Sequence, residues 1–220
     1  MHRVFGTKTN WSVSVIGVKK QLTTSSLYCF SNLSSSLLSG FITVVIGIVL
    51  VDKREISYWS IAVNAIGIVQ SLFNPISNSL YPHIINGRDL CFAYRLGLIS
   101  VPFLAIGTAL FVLLSDFIVV ILGGAGYEPA SEVLIWLSPV LPISFYGIFI
   151  GWPILGALGQ VRKLTMSTII AGLTNVALMG VVVVFDIPSL FLVCCIRCLV
   201  EAELLFLRAG ALYFYLKRLY

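Results

Sequence analysis

The sequence predicts an all-α integral membrane protein, and three observations carry that prediction. Hydrophobic residues make up 59% of the 220 residues and charged residues only 10%, against about 25% charged in a soluble domain. Mean hydropathy is +1.02. The apolar residues fall into six runs, at 25–51, 56–80, 93–114, 133–154, 164–185 and 188–207. Each is close to the ~20 residues a helix needs to cross the hydrocarbon core.

Residues 1–24 precede the first run. They hold Arg3, Lys8, Lys19 and Lys20 without an apolar stretch of the signal-peptide kind, and read as a basic cytoplasmic segment. The predicted organisation is therefore 1–24 cytoplasmic, 25–210 a six-helix transmembrane region, and 211–220 a cytoplasmic tail. Short connections join the runs, and their charge sets an orientation. One face collects those four cations with Arg88, Arg95, Arg162, Lys163, Arg208, Lys217 and Arg218, eleven of the fourteen basic residues. The other face holds Lys53 and Arg54 beside Asp52, Glu55, Asp116, Glu128, Glu132 and Asp186. Cations gather in cytoplasmic loops, so a multi-pass chain with both termini cytoplasmic is expected. The net charge of +5 then reflects topology and does not call for nucleic acid.

The first and second runs carry a polar seam. Advancing about 100° per residue from Gln70 brings Ser60, Asn64, Ser71, Asn74, Ser77, Asn78 and Tyr81 into an arc of about 140°. In the first run Tyr28, Ser31, Asn32, Ser35, Ser36, Ser39 and Thr43 share a comparable arc. Thr165, Thr168, Gly172 and Asn175 form a weaker face in the fifth. Such faces either pack helix on helix or line a hydrated cavity. So many polar groups on one helix favour the cavity, with Asn32, Ser35, Ser36, Asn64, Gln70, Asn74, Asn78, Tyr81 and Asn175 as candidate lining. Pro75 is expected to kink the second run, and Pro139 and Pro142 to bend or break the fourth.

The sixth run contains "FLVCCIRCLVEAELLFL". An ionisable group at the bilayer centre costs about 2.5–3.5 kcal/mol on insertion scales. Arg197 and Glu201 are four residues apart on one helical face and can pair. Arg208 shares that face and Glu203 does not. With the helix starting near residue 188, Arg197 is expected about 15 Å deep. The pair is either an internal clamp or part of a substrate path. "GIFIG" at 147–151 fits small-residue helix packing.

Nothing in the sequence points to catalysis. There is no phosphate-binding G-x-x-x-x-G-K-[ST] loop. The histidines are His2 and His83, and the five cysteines read as small buried thiols. No enzyme activity, cofactor or metal site is expected. "ILGGAGYEPASEV" reads as a turn in which Glu128 and Pro129 open a helix.

The order of motifs supports one family resemblance. "SSLYCFSNLSSSLLSGFITVVIGIVL" followed by "ISYWSIAVNAIGIVQSLFNPISNSLYPHI" resembles the seventh and eighth helices of Wzx-type O-antigen flippases, with Tyr58, Asn74, Pro75, Ile76, Leu80, Tyr81 and Pro82 at the motif positions. "ILGGAGYEPASEVLIWLSP" is similar to the family's outer glycine–tyrosine loop, at Gly126, Tyr127 and Ala130. "LGALGQVRKLTMSTIIAGLTNVAL" is similar to the basic turn leading into helix eleven, at Arg162, Lys163 and Asn175. Lys19 to Leu22, "KKQL", looks like the end of the inter-lobe linker. These flippases belong to the multidrug/oligosaccharidyl-lipid/polysaccharide exporter superfamily and have two six-helix lobes. The resemblance implies that this chain is the C-terminal lobe, that 1–24 is the linker, and that an N-terminal lobe is its partner. It also implies the cargo, undecaprenyl-diphosphate-linked O-antigen units of lipopolysaccharide biosynthesis, flipped by alternating access across the bacterial inner membrane. A cation-coupled multidrug exporter of the same fold, or a membrane polysaccharide polymerase or ligase, are the alternatives.

Overall fold

The computed structural model describes residues 40–49, 52–87 and 90–218, and among these every regular element is helical. Helix α1 (Gly40–Val49) is followed by α2 (Lys53–Ser71), α3 (Phe73–Gly87), α4 (Leu90–Leu113), α5 (Ser115–Gly123) and α6 (Ala130–Leu137). Then come α7 (Val140–Phe149), which continues into a π-helical turn at Ile150–Gly156, α8 (Val161–Val184) and α9 (Leu190–Lys217). Among the described residues three helices are long and apolar enough to cross a membrane: Arg54–Ile85, Leu90–Leu113 and Val161–Val184. A fourth is added if the bent pair Ala130–Leu137 and Val140–Gly156 is one span. This is the helical content of a membrane protein.

Proline chemistry sets the breaks. Pro75 has no N–H for the Ser71 carbonyl and its ring crowds that oxygen. The helix yields at Leu72, whose own N–H turns back to Val69 O at 3.1 Å. At the second break Pro139 leaves the Ile135 carbonyl to Ser138, which donates both its N–H (3.1 Å) and its Oγ (2.8 Å) to it. The two halves bend there by 42°. Pro153 likewise removes an amide from the next turn, and the chain widens into the π segment.

One connection differs from expectation. Residues 115–132, read as an outer loop, contain α5: "SDFIVVILG" is apolar enough to bury Ser115 and Val119 and packs on α2 and α6. Residues 211–217 of the expected tail are helical, the last turns of α9. An apolar "GALYFYL" run keeps that helix going past Arg208.

The core has two parts. One joins α1, α2, α5, α6, α8 and α9 around Trp59, Leu134, Leu137, Met179 and Val200. Trp59, 1% exposed, donates its indole N–H to Thr43 Oγ1 at 3.3 Å and so ties α2 to α1. The other part joins α3, α4, α7 and the π turn around Phe73, Leu80, Phe145 and Phe149. The turn before α6 uses positive φ at Gly124 (85°) and Gly126 (106°), where a side chain would be strained. It lays Tyr127 edge-on against Tyr58, 6.2 Å between ring centroids.

Candidate functional site: a polar recess and the charged face of α9

A recess of about 600 Å³ opens between α2, the α6–α7 bend and α9, lined among others by Asn64, Gln70, Ser71, Leu137, Val140 and Arg197. Asn64 stands ten residues into the candidate span that starts at Arg54, about 15 Å along it. Asn64 and Ser71 are exposed and Gln70 half-buried. Ser71 Oγ donates to Ile68 O at 2.6 Å, which leaves its lone pairs to accept. Amide and hydroxyl groups of α2 and the guanidinium of α9 thus offer donors and acceptors from facing walls.

Arg197 is held by Glu201, Nη2 to Oε1 at 2.6 Å, with the two side chains 16% and 10% exposed. Because α9 begins at Leu190, with Ser189 capping Leu192 N–H at 3.3 Å, Arg197 lies seven residues in. That is about 10 Å along the helix. Glu203, off that face, accepts from Thr174 Oγ1 of α8 at 3.1 Å. Both carboxylates are therefore engaged inside the bundle, which offsets their transfer cost.

The sequence-predicted lining separates. Asn64 and Gln70 face the recess. Asn74 and Asn78 lie beyond the Leu72 break, exposed on α3 and outside this lining. Tyr81 stacks on Trp152, with ring centroids 5.7 Å apart and planes within 10°. Asn175 is 0% exposed, packed within the bundle and not lining this recess. Asn32, Ser35 and Ser36 fall outside the described residues.

Sequence reasoning missed the role of Arg208. Its guanidinium donates from Nη1 to Gly147 O at 2.6 Å and from Nη2 to Thr168 Oγ1 at 3.1 Å, which joins α9 to α7 and α8. Gly151 makes the room: a Cβ there would stand 2.9 Å from Nη1. The "GIFIG" stripe was the signal. It admits a side chain from a neighbouring helix, where a helix backbone had been expected.

Cys194 is buried, Cys195 and Cys198 half-buried and Cys91 exposed, and all four are free thiols. Among the described residues no cluster of His, Cys, Asp and Glu could hold a metal ion. The chain matches no protein-family model, no curated protein and no solved structure, so the functional reading rests on its own residues.

Proposed function

We propose that this chain is the C-terminal six-helix lobe of a two-lobe exporter that flips undecaprenyl-diphosphate-linked polysaccharide repeat units across the bacterial inner membrane. The observation that carries the reading is the recess with Asn64, Gln70, Ser71 and Arg197 on its walls, its Asn64 about 15 Å along the span from Arg54. A sugar chain needs many hydrogen-bond partners, and a diphosphate needs a cation. Polar groups at that depth are costly unless hydrated or paired, and a path for such a cargo provides both. The sequence resemblance adds to this, and a second lobe supplies the opposite wall.

Six spans follow if α1, the α2–α3 helix, α4, the α6–α7 pair, α8 and α9 each cross once. Helix α9 is 28 residues long, and the charges in its apolar stretch pair within it (Arg197 with Glu201) or bond to α7 and α8 (Glu203 and Arg208). An exporter of organic cations with the same fold is less well served, because Arg197 sets a positive group in the wall.

The test is competitive binding. The purified chain in detergent is offered an undecaprenyl-diphosphate oligosaccharide and a lipophilic drug cation together, and adducts are read by native mass spectrometry. The reading expects the lipid-linked sugar to bind and Gln70→Leu to weaken it. Binding of the drug cation alone would replace this reading with drug export.

A further inference from the structure

A second groove, well away from the polar recess, lies between α4, the α7–π segment and the end of α9. Its volume is about 330 Å³, and its walls include Leu90, Tyr94, Gly97, Phe149, Leu212 and Leu216. The Tyr146 hydroxyl at its edge is already engaged, donating to Gly97 O at 3.0 Å and lying 3.3 Å from Ser100 Oγ. The groove is therefore apolar along its length. From Leu90 to Val101, which also lines it, α4 rises about 16 Å. That is close to half of a ~30 Å hydrocarbon core, the depth of one leaflet.

The groove has one charged end. Leu90 and Tyr94 of α4 meet Leu212 and Leu216 of α9 there, and Arg95, Lys217 and Arg218, exposed and close to them in sequence, stand in the first turns of α4 and at the end of α9 within reach of long side chains. Arg88 and Asp89 precede Leu90 and balance each other in charge, and no Asp or Glu occurs from Leu90 to Leu113 or from residue 204 to 218. Tyr94, Tyr213 and Phe214 are 69%, 62% and 63% exposed at the same end, as expected of an aromatic belt at a membrane–water interface. An apolar slot one leaflet deep with a cationic rim complements a long acyl chain that carries an anionic phosphate.

We propose that this groove binds an anionic phospholipid of the bilayer, its acyl chain along α4 and its phosphate among Arg95, Lys217 and Arg218. A zwitterionic lipid has the same chain but no net charge for the rim. A soluble anion has the charge but nothing to fill the slot. A chain seated there would bridge α4 to α9, whose mutual packing runs mainly through α7 and the π turn.

The test is lipid titration of the delipidated protein in detergent, read by native mass spectrometry, with phosphatidylglycerol and phosphatidylethanolamine of identical chains. Phosphatidylglycerol should be retained at least tenfold better. The triple variant Arg95→Gln/Lys217→Gln/Arg218→Gln should lower its retention at least tenfold and leave phosphatidylethanolamine unchanged, since each cation near a membrane surface contributes about fivefold. Gly97→Leu should weaken both lipids by filling the slot. A Cβ at Gly97 meets Phe149 at 3.5 Å, an ordinary contact, and Leu212→Trp serves the same purpose if that variant does not accumulate. Equal retention of the two lipids would overturn the proposal, as would an unchanged triple variant. Full retention in the groove variants would also overturn it, because rim cations alone would then be holding the headgroup.

Discussion

Replacing Gly151 by alanine should unseat Arg208, and the structure sets the size of the effect. The new Cβ would lie 2.9 Å from Nη1, 3.3 Å from Cζ and 3.4 Å from Leu164 Cδ1. The guanidinium has to withdraw, and with it the bonds to Gly147 O (2.6 Å) and Thr168 Oγ1 (3.1 Å). A hydrogen bond to a charged group contributes about 1.5–3 kcal/mol. Losing one and straining the other should cost about 2–4 kcal/mol, set against the ~1 kcal/mol that alanine gains over glycine inside a helix. Gly147→Ala is the control, because its Cβ would stand 4.0 Å from Nη1 and should be neutral or stabilising. Equilibrium unfolding in mixed micelles measures both, alone and combined with Arg208→Leu. In the Arg208→Leu background the cost of Gly151→Ala should fall below about 1 kcal/mol, since residues in contact do not add. Equal costs at the two glycines, or full additivity, would show that Arg208 does not use this slot.

The remaining expectations concern the charge pair, the α4 contact and the topology. Arg197→Leu strands Glu201, whose side chain is 10% exposed, and should cost about 3–5 kcal/mol and reduce membrane yield. Arg197→Leu/Glu201→Leu should recover much of that yield, and a double variant as poor as the single one would remove the pairing argument. Tyr146→Phe deletes the bond to Gly97 O at 3.0 Å and should cost about 1 kcal/mol while raising hydrogen exchange in α4. Unaltered exchange would mean the contact is not holding α4. In a cysteine-free background, an impermeant thiol reagent outside the cell should label Glu128→Cys and Asp186→Cys and spare Gly159→Cys. The reverse pattern would invert the proposed orientation.

Much of the helical layout was legible because apolar runs and prolines act locally. Pro75 and Pro139 announced the breaks near Leu72 and Ser138, since a missing amide disrupts its own turn wherever the helix packs. The Arg197–Glu201 pair was legible for the same reason: four residues on one helix fix the spacing. Features that depend on which helices become neighbours were not legible. Periodicity placed Asn64, Asn74 and Asn78 on one arc, but Asn64, Gln70 and Ser71, all before the break at Leu72, line the recess while Asn74 and Asn78 beyond it do not. Asn175 shares a polar face in the sequence, yet α8 turns it fully inward. Arg208 was grouped with the loop cations by its place near the end of an apolar run. Its burial required knowing that α7 and the π turn offer it two glycines about one turn apart. Helix α5 was hidden because nine residues are too few to read as a span, although apolar enough to pack.

The proposed function is tested most directly by display of lipid-linked repeat units at the surface of a flippase-deficient bacterium. The chain would be expressed with an N-terminal six-helix lobe, with and without Asn64→Leu/Gln70→Leu. These side chains border open recess, so replacing them should leave membrane yield and melting temperature close to those of the unaltered chain. The unaltered pair should restore display, and the double variant should lose it at least tenfold at equal yield. Undiminished display by the double variant would take the recess out of the transport path, and no display from the unaltered pair would set aside the flippase reading itself.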